Sequence, residues 1–297
     1  MSEDEQSDTC CASCGISEID DIKLKECDGC DLIRYCSDEC RENHKAEHEE
    51  DCKKRAAELR DELLFKQPDS SHLGDCPICC VPLPINVVNS MMSCCSIDVC
   101  MGCRFANQFK EMERRLIPSC PFCREPTLIT DEEWDERRMK RVEANDPYAV
   151  YQLGGDQYNK GDYSTAFEYF ARAAELGFLV AHHDLGNMYR MGHGVEKDMG
   201  KAMYHYEEAA IGGHPESRYN LGSAEWNNRN IERALKHYII AATQGNDDSI
   251  KRLMKAFKFG LLEKEDLASV LRAHKAAVDA TKSPQREKAA ELMSQYS

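Results

Sequence analysis

Five Cys-x2-Cys pairs fall in the N-terminal part of the chain: Cys11/Cys14, Cys27/Cys30, Cys76/Cys79, Cys100/Cys103 and Cys120/Cys123. Thiolates at this spacing form half of a structural tetrahedral zinc centre, which takes four Cys or His ligands and leaves no open position. All 17 cysteines lie between Cys10 and Cys123. The other chemistry open to so many thiols is the disulfide scaffold of a secreted protein. The opening MSEDEQSDT is acidic and polar, unlike a secretory signal or a transit peptide, and no hydrophobic run is long enough to span a bilayer. The expectation is a soluble, intracellular chain, cytoplasmic or nuclear, with its cysteines on metal and no membrane partner.

The first group of ligand candidates is Cys11, Cys14, Cys27, Cys30, Cys36, Cys40, His48 and Cys52, enough for two tetrahedral sites. His48 and Cys52 stand four apart in the helix-favouring stretch RENHKAEHEEDCKKRAAEL. That spacing puts both on one helix face, within reach of one ion. Ala56, Leu59 and Leu63 continue the face. Cys10 is a bystander or exchanges roles with Cys11, and His44 reads as a surface histidine. Tyr35-Cys36-Ser37-Asp38-Glu39-Cys40, followed by seven residues to His48 and three to Cys52, resembles the MYND zinc finger, and the match covers residues 11–52. The resemblance implies interleaved sites, with Cys11, Cys14, Cys36 and Cys40 on one zinc and Cys27, Cys30, His48 and Cys52 on the other. It also implies a module for proline-rich peptides. Lys45 stands where the family often has an aromatic, which bears on the peptide groove more than on the metal. A finger that merely holds its own segment together is the competing reading, since small domains often need metal to fold.

The second group runs Cys76, Cys79, the adjacent Cys94 and Cys95, then Cys100, Cys103, Cys120 and Cys123. This order and the closing CPFCREP (120–126) resemble a RING finger. The family usually places a cysteine and a histidine before the third pair, and here the histidine position falls on Ile97, which cannot ligate. Thiolate suits zinc at least as well as imidazole. Some RING fingers are all-cysteine, with the fourth ligand five residues before the fifth, and Cys95 is five before Cys100. The ligand set so implied is Cys76, Cys79, Cys100 and Cys103 on one zinc, and Cys94, Cys95, Cys120 and Cys123 on the other. The alternative uses one of the adjacent pair, with Asp98 or water completing the sphere. Cys80 reads as a small buried apolar residue.

A RING finger has no nucleophile and no acid–base pair, so no catalytic residue is expected. By resemblance it binds a ubiquitin-conjugating enzyme charged with ubiquitin and holds the thioester in a reactive conformation, which is catalysis by positioning. The contacts so implied are Ile78, Pro121 and Phe122. Arg124 matches the family position whose cation hydrogen-bonds both ubiquitin and the conjugating enzyme, a role suited to a rigid planar set of donors. The blander reading makes Ile78 and Phe122 core residues of a miniature fold and Arg124 a plain surface residue. The segment after Cys103 carries Phe105 and Phe109 but lacks the tryptophan of many active members.

The elements that must carry these groups differ between the two halves. DEEWDERRMKRVEAND (131–146) reads as a solvated helical face. From residue 147 a repeat appears: Leu153-Gly154, Leu185-Gly186 and Leu221-Gly222 recur, then Leu253-Met254. Ala166, Phe170 and Ala173-Ala174 align with Ala202, Tyr206 and Ala209-Ala210, and with Ala234, Tyr238 and Ala241-Ala242, each set on one helix face. AAELG, AAIGG and AATQG close the second helices with a C-terminal glycine. The pattern resembles Sel-one-like repeats, relatives of the tetratricopeptide class, with a degenerate capping unit at 249–280. It implies a curved helical array that binds a protein partner.

The expected fold is multidomain: two small zinc-stabilised fingers, MYND and cross-braced RING, followed by an all-α helix–turn–helix repeat solenoid. The expected boundaries are an acidic disordered tail 1–9, a MYND-type finger 10–52, a helical linker 53–70, a RING-type finger 71–127, a charged helical linker 128–146 and repeats 147–297. The formal net charge of −15 opposes nucleic acid as a partner. Four zinc ions, two per finger, are expected. Two functions compete: a RING-type ubiquitin ligase whose MYND finger and repeats recruit substrates, and a non-catalytic zinc-finger adaptor.

Overall fold

The computed structural model describes residues 10–14, 16, 18, 23–31, 33–85, 90–127 and 130–294, so the acidic tail 1–9 lies outside the described residues. The chain divides after Lys66 into two compact units.

In the first unit, strands β1 (Lys25–Glu26) and β2 (Arg34–Tyr35) pair antiparallel and lead into helix α1 (Asp38–Phe65). The Ser37 hydroxyl caps α1 by accepting from the Cys40 N–H, and Asp38 and Glu39 suit the positive end of the helix dipole. α1 has no apolar stripe, and its buried residues are His48 and Leu64. Its N-terminal part is held by what it offers in place of a core. Cys40, His48 and Cys52 sit on it, Arg55 grips Asp31 through two nitrogens at 2.7 and 2.8 Å, and Arg41 pairs with Asp28. The expected continuation of the ligand face ends differently: Leu63 is exposed and Leu64 is buried. At about 100° per residue, Leu64 lies on nearly the opposite side of the helix from His48. The two ends of α1 therefore bury different faces.

The second unit opens with a finger built on the hairpin β3 (Ser90–Met92) and β4 (Ile97–Val99), followed by α2 (Met101–Glu113). Leu83, Met92 and Val99 fill its small core beside Cys76, Cys100, Cys103 and Cys120. α3 (Asp131–Glu143) starts in a capping box formed by Thr130 and Glu133. It is not solvated all round: Val142 is buried and Arg138 pairs with Asp156.

Helix pairs follow: α4 (Pro147–Asn159) with α5 (Tyr163–Glu175), α6 (Leu179–Met191) with α7 (Met199–Ile211), α8 (Pro215–Asn227) with α9 (Ile231–Thr243), and α10 (Asp247–Lys258) with α11 (Lys264–Ala280). Each packs on its sequence neighbours. Within a pair, a glycine meets an aromatic ring. A Cβ at Gly154, Gly186 or Gly222 would fall 2.6, 2.6 or 2.8 Å from Phe170, Tyr206 or Tyr238. The recurring Leu-Gly is thus the seat of the recurring aromatic. Gly177, Gly213 and Gly245 take positive φ just past the second helix of the first three pairs. The last helix, α12 (Pro284–Ser294), packs on α2 of the finger.

Among the described residues, polar and ring contacts fasten the finger to the array. Arg141 donates to the Cys94 carbonyl and to Ser96 Oγ, and Ser96 in turn bonds Asp146, the cap of α4. The His72 ring packs against His214 at a tilt of 54°, and His214 packs against His183 of α6 at a tilt of 37°. Arg286 of α12 reaches the loop after Cys79.

Candidate metal centres

Ligand atoms gather into four groups, each with all members within 4.8 Å of one another: Cys11, Cys14, Cys36 and Cys40; Cys27, Cys30, His48 and Cys52; Cys76, Cys79, Cys100 and Cys103; Cys94, Cys95, Cys120 and Cys123. Sulfur pairs lie at 3.6 Å (Cys14–Cys36 and Cys36–Cys40), 3.7 Å (Cys27–Cys52), 3.8 Å (Cys79–Cys100), 3.9 Å (Cys95–Cys120) and 3.4 Å (Cys94–Cys123). A zinc tetrahedron with bonds of about 2.3 Å has sulfur–sulfur edges of about 3.8 Å. Disulfide sulfurs sit far closer, near 2.05 Å. Cys30 Sγ lies 3.2 Å from His48 Nε2, which selects that nitrogen as the ligand atom. The donor chemistry and the spacing both fit zinc.

Each group contains one sulfur already prepared for ionisation. Burial works against the Cys11 thiolate, but N–H groups of Cys36, Cys14 and Ser13 outweigh it and bring the thiol down to about 6. At Cys76, burial is outweighed by the N–H groups of Cys100, Cys79 and Ile78, and the thiol falls to about 7. Cys27 and Cys120 are lowered in the same way, against burial, by N–H groups of Gly29 and of Cys123 and Phe122. Their neighbours go the other way: Cys36 rises to about 12 through hydrogen bonds with Cys14 and Cys40, and Cys52 to about 12 through burial and Cys27. The backbone donors thus favour ionisation of one sulfur per site, and a divalent ion would displace the remaining protons.

The adjacent Cys94 and Cys95 both turn into one group, because the backbone reverses there. Cys95 and Ser96 N–H both donate to the Met92 carbonyl, and Ser96 takes a positive φ. Asp98 is not a member of the group. Cys10 and His44 also stand outside the four groups; His44 Nδ1 meets the Tyr35 hydroxyl at 3.1 Å. Cys80, expected to be buried, is exposed with φ +52. It follows the Cys76–Cys79 loop, where its N–H bonds back to the Cys76 carbonyl and turns the side chain outward. Arg124 occupies the same position after Cys120–Cys123, with φ +67 and its N–H on the Cys120 carbonyl.

Ile78 and Phe122 are 42 % and 48 % exposed, so they are not the finger's core. Pro121 is half-buried and Arg124 is exposed. Arg124 donates to Asn107 Oδ1 at 3.0 Å, and Asn107 donates to the Ser119 carbonyl. Asn107 and Arg286 both touch this site, and no motif in the sequence marks them.

Residues 11–52 match the MYND finger family, and residues 147–178, 179–214 and 215–246 each match the Sel1 repeat. Among curated proteins, the mouse DAP3-binding cell death enhancer 1 is 24 % identical over 176 residues, covering 46 % of this chain and 34 % of the relative. The chain thus spans about a third of that relative's length. A Sel1 repeat protein from Oxalobacter formigenes is 30 % identical, covering 50 % of this chain and 65 % of its own, with a TM-score of 0.43. The c5321 protective antigen of uropathogenic Escherichia coli, which displays an SLR fold, is 27 % identical, covering 50 % of this chain and 33 % of its own, with a TM-score of 0.42. The chain is a zinc-binding protein with a MYND finger and Sel1 repeats, both protein-interaction modules. No helix among the described residues is long and apolar enough to cross a membrane.

Proposed function

We propose that residues 71–127 form an all-cysteine RING-type finger that positions a ubiquitin-charged conjugating enzyme, while the MYND finger and the Sel1 array recruit the protein to be modified. The observation that carries this reading is the interleaving of two cysteine quartets with apolar residues left exposed at both loop tips. Cys76 and Cys79 group with Cys100 and Cys103, and Cys94 and Cys95 group with Cys120 and Cys123. Ile78 and Phe122 stay exposed although Leu83, Met92 and Val99 suffice for the core. Exposed apolar residues on a rigid, metal-stapled loop suit a partner surface better than a solvent boundary.

Zinc supplies the rigidity that keeps the two loops in place. The chain's own residues do the rest: Ile78, Pro121 and Phe122 offer the apolar contact, and Arg124 offers donors beside it. The test is discharge of ubiquitin from a broad panel of charged conjugating enzymes by the full chain. Ile78→Ala and Arg124→Ala should each slow discharge at least about tenfold, the effect of losing roughly 1.4 kcal/mol of contact, with the zinc content unchanged. Absence of stimulation with every enzyme of the panel would remove the ligase reading.

The second reading is an adaptor without ubiquitin transfer. It is favoured by Asn107, which holds the Arg124 guanidinium against α2 where a free donor would be wanted. Under it, the proline-rich ligand of the MYND finger and the partner of the repeats are simply brought together.

A further inference from the structure

Arg286 lies far from every motif in the sequence, in a helix that follows the last repeat. Its guanidinium nevertheless enters the finger. Nη2 donates to the Val81 carbonyl at 2.8 Å and lies 3.6 Å from Cys79 Sγ, and Nη1 reaches the carbonyls of Pro82 (2.5 Å) and Thr281 (2.6 Å). Cys100 is a further sulfur neighbour. The backbone of α12 sits just as close: a Cβ at Gly102 would lie 2.7 Å from the Arg286 nitrogen and 2.9 Å from the Gln285 carbonyl carbon. Gly102 stands between the ligands Cys100 and Cys103, and Ala289 of α12 is fully buried.

We propose that Arg286 is an outer-sphere partner of the Cys76, Cys79, Cys100 and Cys103 metal site, and that α12 is a latch held shut by the charge of that site. Four thiolates on a divalent ion carry a net charge of about −2. Cys76, Cys100 and Cys103 are buried, so this charge is poorly solvated. A guanidinium with two donors fixed on neighbouring carbonyls is placed to offset it without losing its own hydrogen bonds. The coupling is reciprocal. Metal in the site holds α12 down, and a partner that draws α12 away from the finger loosens the metal.

The test uses the full zinc-loaded chain and two readouts: the rate at which each zinc is lost to a chromogenic chelator, and hydrogen exchange of residues 284–294. Arg286→Gln should speed the loss of one zinc of the four by about 10–100-fold. Arg286→Lys should restore part of that loss. Gly102→Ala, which alters no ligand and no charge, should also release α12 and speed the same zinc. Stripping zinc from the parent should raise exchange across 284–294. The proposal is overturned if α12 exchange rises in Arg286→Gln or Gly102→Ala with all four zinc rates unchanged, because α12 would then be a structural clasp without a link to the metal. It is equally overturned if exchange at 284–294 is the same with and without zinc.

Discussion

At the scale of single residues, one sulfur in each group is marked by the peptide N–H groups around it. Cys11, Cys27, Cys76 and Cys120 open Cys-x2-Cys loops whose backbone donors point at their thiolates. Cys80 has no place in any of the four groups and is exposed. In the zinc-loaded chain, mild alkylation followed by peptide mapping should therefore label Cys80 ahead of all fifteen grouped cysteines; equal labelling of Cys76 and Cys80 would contradict this. Spacing made the members of the quartets legible, because Cys-x2-Cys and His-x3-Cys each impose a local geometry. It placed Cys80 in the interior, whereas the structure exposes it, since the turn that does so arises from a backbone hydrogen bond and not from residue type. It also left open whether neighbours such as Cys94 and Cys95 could turn into one group; the reversal at Met92–Ser96 turns both sulfurs toward Cys120 and Cys123.

At the scale of elements, the repeats and the first finger are stabilised in different ways. In the first three repeats a helix offers a glycine to the ring of its partner, and the second helix of each pair buries its alanines. Gly186→Ala would bring a methyl to 2.6 Å from the Tyr206 ring. Overpacking typically costs about 1–3 kcal/mol, against a gain of about 1 kcal/mol in helix propensity. The expected net result is a lower urea midpoint. Gly155→Ala, which meets nothing within 4 Å, should raise it. A rise in both would show that the pairs are looser than described. These pairs were legible because glycine, alanine and aromatic positions recur in phase. α12 was not: it belongs to no repeat, and what defines it is a contact between Arg286 and a loop some 200 residues earlier. The N-terminal part of α1 was legible as a helix but not as one lacking an apolar face, whose position depends on ligands and ion pairs.

At the scale of the whole second unit, the finger's docking on the repeats rests on single polar residues with no periodic signature: Arg141, Ser96, Asp146, His72 and Arg286. The histidine seam among them is sensitive to pH. His72 and His214 rings lie 4.5 Å apart and those of His183 and His214 4.6 Å. His183 Nδ1 meets Ser217 Oγ and its Nε2 meets the Asn187 amide, while His214 Nδ1 accepts the Ser217 N–H. Burial pushes His72 down to about 4. Burial, with His72 and Arg190 facing it, pushes His183 down to about 4, and burial with the two other imidazoles pushes His214 well down. All three are neutral in the folded chain and take up protons near pH 6.5 once unfolded. Stability from this seam is thus complete above about pH 6.5 and is lost as the pH falls toward about 4. Urea unfolding in excess zinc between pH 7.5 and 5.5 should show this slope, and His183→Gln should flatten it; an unchanged slope would place the acid sensitivity elsewhere.

The most direct measurement is native mass spectrometry of the full chain purified in zinc without strong chelators, beside Cys94→Ser and Cys95→Ser. Four zinc ions in the parent and three in each variant are predicted, because both adjacent sulfurs close one site. Fewer than four in the parent, or four in either variant, would contradict the paired cross-brace on which the ligase proposal stands.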